Sequence, residues 1–178
     1  MPPVGLLFVL VEGDDDERFF ERIIIELFEG RYSSVKLWQY AQEKADRVEA
    51  LLRSIKAMGA DYIFATDVNQ EPCVTSKKER VVRKYKGLDR RNVIVVRKEI
   101  ESWYLAGVSK ADSATLKMPV LDRTDNIGKE VLDDLAAKRT ASKIDLMVEI
   151  LKRFSLDAAC ARNTSLQYFV TKYGLDIL

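Results

Sequence analysis

Apolar residues along this chain change their spacing in a regular way. Residues 4–11 are a nearly continuous apolar run, and a run without polar alternation fits a strand covered on both faces. It ends abruptly at Glu12-Gly13. Beyond that point Phe19, Phe20, Ile23, Ile24, Leu27 and Phe28 recur three and four apart, which predicts a helix over 14–29. Its first turn, Asp14 to Glu17, is acidic, as the helix dipole favours, and Gly30 stops it. Val35 to Tyr40 reads as a second strand. Residues 43–58 read as a helix with Val48, Leu51, Leu52, Ile55 and Met58 on one face, stopped by Gly59.

The rhythm continues with a strand at 61–66, a loop from Asp67 to Thr75 and a very basic helix at 76–86 ended by Gly87. A fourth strand at 92–96 leads into a helix around 99–106. Alternation of this kind predicts an α/β fold, a Rossmann-like parallel sheet of about four strands with right-handed crossovers and helices on both faces. Residues 107–127 read as a loosely structured junction. Beyond it the pattern is helical, at 128–138, 141–154 and 163–173, and no strand is expected. The expected organisation is thus an α/β domain over 1–106 and a helical C-terminal appendage over 107–178, packed on it.

Composition narrows the chemistry. The chain has 178 residues, two cysteines and no histidine. A chain of this size buries about 70% of its unfolded surface and needs no disulfide framework or structural metal. Without histidine, a Cys/His zinc site and the hydrolase triads built on a histidine base are excluded. No stretch approaches the ~20 apolar residues of a membrane span, and the first apolar run lacks the basic flank and cleavage site of a signal peptide. No membrane association and a cytoplasmic location are therefore expected. The net charge of +1 hides a polarity: residues 12–29 carry eight acids and two bases, residues 77–98 ten bases and two acids. Such a pairing joins a region able to hold cations with one able to hold phosphates.

Two carboxylates end apolar runs, Glu12 after the first strand and Asp67 after the third. Ligands of open α/β sheets gather outside the carboxyl ends of the strands. Asp16 lies four residues beyond Glu12, within reach across a first helical turn. Three carboxylates at ~5 Å would repel pairwise by about 3 kcal/mol at an effective dielectric near 20, a cost that a cation relieves. All-oxygen ligands favour Mg²⁺, Mn²⁺ or Ca²⁺. The plainer alternative is a solvated, dipole-favoured helix start. Lys77, Lys78, Arg80, Arg83 and Lys84, with Lys86, Arg90 and Arg91, form a basic strip suited to phosphate contacts, or equally a solvated face paired with the acidic helix.

In Val11-Glu12-Gly13 with Asp16, and in Asp67-Val68-Asn69, the chain resembles the Toprim domain of topoisomerases, bacterial primases and overcoming-lysogenization-defect nucleases. Glu99-Ile100-Glu101-Ser102-Trp103 is similar to the Glu-x-Glu-x-Trp segment of a family of small Toprim-like proteins. Arg162-Asn163-Thr164-Ser165 with Phe169 resembles that family's Arg-x-x-Ser-x-x-x-Phe segment. The resemblance implies a Mg²⁺- or Mn²⁺-dependent phosphodiester chemistry, most plausibly a nuclease acting on DNA or RNA. It implies metal ligation by Glu12, Asp16, Asp67, Asn69 and Glu101, with Glu12 and Asp67 catalytic. Lys143 or Arg162 would steady charge developing on a phosphate; their plainer roles are a surface lysine and a helix-capping group. Trp103 fits core packing. Asn69 departs from the Asp-x-Asp pattern, offering an oxygen without a charge. A non-catalytic module binding nucleic acid or protein stands as the rival reading, and hydrolysis of a small phosphorylated molecule as a third. Substrate, strand preference and oligomeric state are not encoded legibly.

Overall fold

A computed structural model describes residues 5–175 of the chain. Val4, where the sequence predicts the first strand to begin, lies outside the described residues, as do residues 1–3 and 176–178 of the two expected domains. Four strands form the sheet: β1 (Leu6–Val11), β2 (Ser34–Gln39), β3 (Asp61–Asp67) and β4 (Val93–Val96). They lie in the order β2-β1-β3-β4 and are all parallel. The α/β, Rossmann-like architecture is therefore as the periodicity predicts.

From β1 the chain moves first to one side, to β2, then crosses back over β1 to β3 and on to β4. Right-handed crossovers in opposite directions place the helix between β1 and β2 on one face and the helices that follow β2 and β3 on the other. The buried side chains divide the same way. Leu10 of β1 and Phe64 of β3 pack with Val48, Leu52 and Ile55 of α3 (Ala45–Ala57) and with Val81 of α4 (Val74–Lys84). Val9, Val11, Ile63 and Ala65, which alternate with them, are fully buried outside that cluster, as are Phe19, Phe20 and Ile24.

The helix predicted over 14–29 has a more complex winding. It runs as α1 (Asp14–Phe19), a π-helical stretch at Phe20–Ile24 and the short α2 (Ile25–Leu27). Phe20, Ile24 and Phe28 recur at intervals of four. In a 3.6-residue helix that spacing drifts about 40° at each step, and a wider turn compensates. All three are buried.

The chain divides into two compact units, Met1–Val95 and Val96–Leu178. The division falls ahead of the Glu-x-Glu-x-Trp segment. That segment forms α5 (Glu101–Ala106), which packs with α7 (Lys129–Lys138), α8 (Lys143–Lys152) and α9 (Leu156–Arg162). The unit also contains α6 (Lys110–Leu116) and α10 (Thr164–Lys172). Two of these, α6 and α9, fall where the sequence predicts junction or loop. Each buries a single residue of its own, Leu116 or Ala159, so no apolar stripe marks it. Their starts are marked by caps instead: Ser109 Oγ accepts from Asp112 N at 3.1 Å, and Ser155 Oγ from Ala158 N at 3.3 Å. Among the described residues no helix is long and apolar enough to cross a membrane.

Helix α7 closes in a Schellman motif, with Ala141 N donating to Ala136 O at 3.2 Å and Thr140 N to Ala137 O at 3.1 Å. This demands a left-handed residue, and Thr140 has φ 54°. A β-branched side chain is poorly suited to that region, where glycine is free of penalty. Thr140→Gly is expected to stabilise the protein by about 1 kcal/mol, or about 2–4 °C in Tm at this chain length. Thermal denaturation checks it; an unchanged or lowered Tm counts against the cap argument.

Candidate metal centre

The sheet register assembles the candidate site. Leu10 of β1 lies opposite Trp38 of β2 on one side and Phe64 of β3 on the other. Two residues further along, on the same face, the row becomes Tyr40, Glu12 and Thr66. Glu12 therefore sits between a phenol and a hydroxyl at the carboxyl ends of three adjacent strands. Because the chain departs from β1 toward β2 and returns to β3, this is also the topological switch point, where open α/β sheets bind ligands.

The contacts follow from that row. Glu12 Oε1 accepts from Thr66 Oγ1 at 2.6 Å, from Asp67 N at 3.0 Å and, at a longer 3.4 Å, from Tyr40 Oη. Tyr40 Oη also donates to Ala65 O at 2.8 Å, and its ring stacks on Phe64 with centroids 4.3 Å apart. Thr66 is 1% exposed and Tyr40 5%. Burial, then the Glu12 carboxylate, push the Tyr40 hydroxyl well above the ordinary tyrosine range, with Asp16 and Asp67 adding to the effect and a Thr66 hydrogen bond opposing it.

Asp16 and Asp67 are buried. Gly13 is the extended N-cap of α1, with φ −155°, a conformation open to other residues. Gln39 Nε2 bridges Asp14 Oδ1 at 2.9 Å and Glu17 Oε2 at 2.5 Å, tying the acidic first turn to the end of β2. Arg18 pairs with Asp15 at 2.7 Å. Asn69 is exposed in the loop after β3 with φ 53°, a left-handed conformation that asparagine tolerates. Among the described residues no group of three or more His, Cys, Asp and Glu side chains is arranged to hold a metal ion. The donor chemistry nevertheless suits a hard divalent cation, since Mg²⁺ is commonly held by one or two carboxylates with waters completing its shell.

The basic strip is engaged piece by piece. Arg80 pairs with Glu71, Arg83 Nε donates to Glu79 O at 3.3 Å, Lys84 lies 4.9 Å over the Tyr85 ring, and Arg91 grips Asp89 with two nitrogens. Lys77 and Lys78 are half-buried near the start of α4. Burial and the neighbouring Arg90 lower the Lys78 pKa.

In the second unit the remaining candidates meet one another. Lys143 Nζ lies 2.5 Å from Glu101 Oε1, and the Glu101 side chain is only 6% exposed. Arg162 Nη1 donates to the carbonyls of Val108 and, at 3.4 Å, Ala106. Ser165 Oγ accepts from Trp103 Nε1 at 2.9 Å and Arg97 N at 3.1 Å, and donates to Asn163 Oδ1 at 2.8 Å. Asn163 in turn donates to Thr124 Oγ1 at 3.0 Å and Ser102 Oγ at 3.3 Å, while capping α10 through Leu166 N at 3.0 Å. Trp103 and Phe169 pack with ring centroids 5.8 Å apart. The two C-terminal motifs thus build one buried polar core.

Sequence reasoning missed Tyr40, Thr66 and Gln39. The one available signal was a hydroxyl at the last position of an apolar run, in Ala65-Thr66-Asp67; the other two depend on strand register. Fold and site together define an α/β protein with an open parallel sheet and an acid-lined switch point. No protein-family model, curated protein or solved structure matches the chain.

Two outcomes follow from this geometry. A raised folded-state pKa means that the folded protein binds more protons than the unfolded chain above the ordinary tyrosine value near 10, so Tyr40 contributes stability that is intact below about pH 10 and is lost as pH rises through its folded pKa. Absorbance titration at 295 nm should show no phenolate from Tyr40, by difference from Tyr40→Phe, until the protein unfolds; a phenolate near pH 10 in folded protein contradicts the packing. Separately, Lys143→Met should cost about 3 kcal/mol by stranding the buried Glu101 carboxylate. Adding Glu101→Gln should recover most of it in urea denaturation. Additive losses would mean that the pair is not coupled.

Proposed function

We propose that the first unit is a Toprim-type domain that uses Mg²⁺ or Mn²⁺ for phosphodiester chemistry, as a nuclease acting on DNA or RNA. The observation that carries this reading is the Glu12 carboxylate fixed between β1 and β3 at the switch point, with the buried Asp67 at the end of β3 and the buried Asp16 in the first turn of α1. Glu12 and Asp67 would hold the cation, with Asp16 and Asn69 supplying further oxygens. When bound, the cation supplies polarisation of a phosphate oxygen and a more acidic water, which accounts for hydrolysis in a chain without histidine. Glu12 is the candidate acid/base, held by Thr66 and by the Asp67 backbone. Lys77 and Lys78, at the start of the helix that follows Asp67, provide phosphate contacts, with Arg80, Arg83 and Lys84 extending the basic face along α4. The unpaired cysteines Cys73 and Cys160 suit a cytoplasmic location.

Glu101, Lys143 and Arg162 enter this proposal as structural residues of the second unit, since each is held by partners there. One observation favours the non-catalytic module: Asn69 brings no charge, and no three-acid cage is present among the described residues.

Incubating purified protein with supercoiled plasmid and single-stranded DNA or RNA, with Mn²⁺ or EDTA, separates the readings. The expected result is metal-dependent cleavage that falls by at least about 100-fold in Glu12→Gln and in Asp67→Asn. Salt-sensitive binding without cleavage would establish the module instead. Turnover of nucleotides with polynucleotides left intact would identify a small phosphorylated substrate.

A further inference from the structure

β2 is the outermost strand on its side of the sheet, and its outer edge carries main-chain groups with no partner among the described residues. The ladder identifies them. Tyr40 N donates to Val11 O at 3.0 Å, so Tyr40 and the residues alternating with it, Ser34, Lys36 and Trp38, turn their N–H and C=O groups toward β1. Val35, Leu37 and Gln39 turn theirs outward. We propose that β2 is a self-association edge, at which a second copy of this chain pairs antiparallel about a two-fold axis through Leu37. The pairing neither needs nor excludes a cation at Glu12.

The side chains of β2 select that register. In an antiparallel pair, outward-turned residues exchange hydrogen bonds only when they face one another. A two-fold axis at Leu37 engages all three, setting Leu37 against its own copy and Val35 against Gln39 of the second copy. The alternating residues then place Lys36 of each copy beside Trp38 of the other, in the non-hydrogen-bonded pairs where side chains come closest. Lys36 is exposed, and Trp38, on the same face, is half-buried against the core cluster. The ammonium thus meets an indole ring already held in place, a cation–π contact. Moving the axis to Lys36 would set the two lysines against each other. An edge lysine commonly blocks unwanted pairing, and here it spares one register.

Charge agrees with this orientation. Gln39 Nε2 donates to Asp14 Oδ1 at 2.9 Å and Glu17 Oε2 at 2.5 Å, which fixes two carboxylates at the carboxyl end of β2. Arg31, exposed, lies just before its amino end. Antiparallel pairing brings the acidic end of each copy to the basic end of the other, whereas parallel pairing would set like against like.

The test is sedimentation velocity of the full chain over about 1–300 µM, the range in which a small edge interface dissociates. The unaltered protein is expected to pass from monomer to dimer within it. As it does, amide exchange followed by nuclear magnetic resonance should slow at Val35, Leu37 and Gln39. Leu37→Pro removes an outward N–H, a change that an edge strand tolerates. It should leave the chain monomeric throughout, with its far-ultraviolet circular dichroism intact. Should the proline variant not fold, Lys36→Glu, at an exposed position, decides: it should weaken the dimer by about 10-fold. A chain still monomeric at ~300 µM overturns the proposal and leaves the edge to a strand of another protein. A dimer in which exchange at those three amides is unchanged overturns it too, because the interface then lies elsewhere. So does a folded Leu37→Pro, or failing that Lys36→Glu, that dimerises as the unaltered protein does.

Discussion

The register of β1 between β2 and β3 is the constraint on which the site depends. Side chains alternate faces along a strand, so a slip of one residue would carry Glu12 to the opposite face and leave Thr66 and Tyr40 facing each other across a gap. The register is held by what lies one row deeper, where Leu10, Trp38 and Phe64 share a face and Leu10 and Phe64 are fully buried. A slip would carry Leu10 out of the cluster that it shares with Val48, Leu52 and Ile55 of α3 and put Val9 or Val11 in its place, mispacking both covered faces. The hydrophobic core thus fixes the polar row, and the polar row closes the sheet where its backbone pairing ends.

Much of the first unit was legible because its signals are local. Short apolar runs mark β1, β3 and β4, while β2 carries Lys36 and Gln39 among its apolar residues. Gly30 and Gly59 lie just beyond the ends of their helices with positive φ, whereas α4 ends at Lys84, where Tyr85 is already extended, ahead of Gly87. The π-helical stretch was not legible from helical spacing alone, since three- and four-residue intervals fit an ordinary helix until burial shows which ones dominate. In the second unit, α6 and α9 each bury a single residue of their own and carry no stripe; only a serine cap announces them. Glu12 and Asp67 were found because each ends an apolar run. Thr66 and Tyr40 were not, because a residue's neighbours across a parallel sheet are separated in sequence by a whole crossover.

The C-terminal motifs show why residue patterns alone do not assign roles. Glu101 and Lys143 are chemically suited to a metal and a phosphate, yet each is the other's counter-ion. Trp103, Asn163 and Ser165 form a chain of hydrogen bonds in which every member is buried and satisfied. A buried network of this kind tolerates little change, because removing one hydroxyl strands two donors at about 1–3 kcal/mol each. Spacing that preserves such a network is selected by folding, whatever chemistry the protein performs.

Asn69 illustrates the converse, a residue whose backbone leaves the choice of side chain open. Its left-handed conformation suits asparagine and aspartate alike. The choice of asparagine is therefore not forced by the backbone. Under the proposed reading Asn69 would stand beside Glu12, Asp16 and Asp67. There a further carboxylate, at ~5 Å and an effective dielectric near 20, would add about 3 kcal/mol of repulsion against each neighbouring charge when no cation is present. An amide keeps an oxygen donor and avoids that penalty. Under the proposed reading, a weaker hold on the cation is the consequence, and the ion is then retained chiefly while a substrate phosphate completes its shell, as is usual for Mg²⁺.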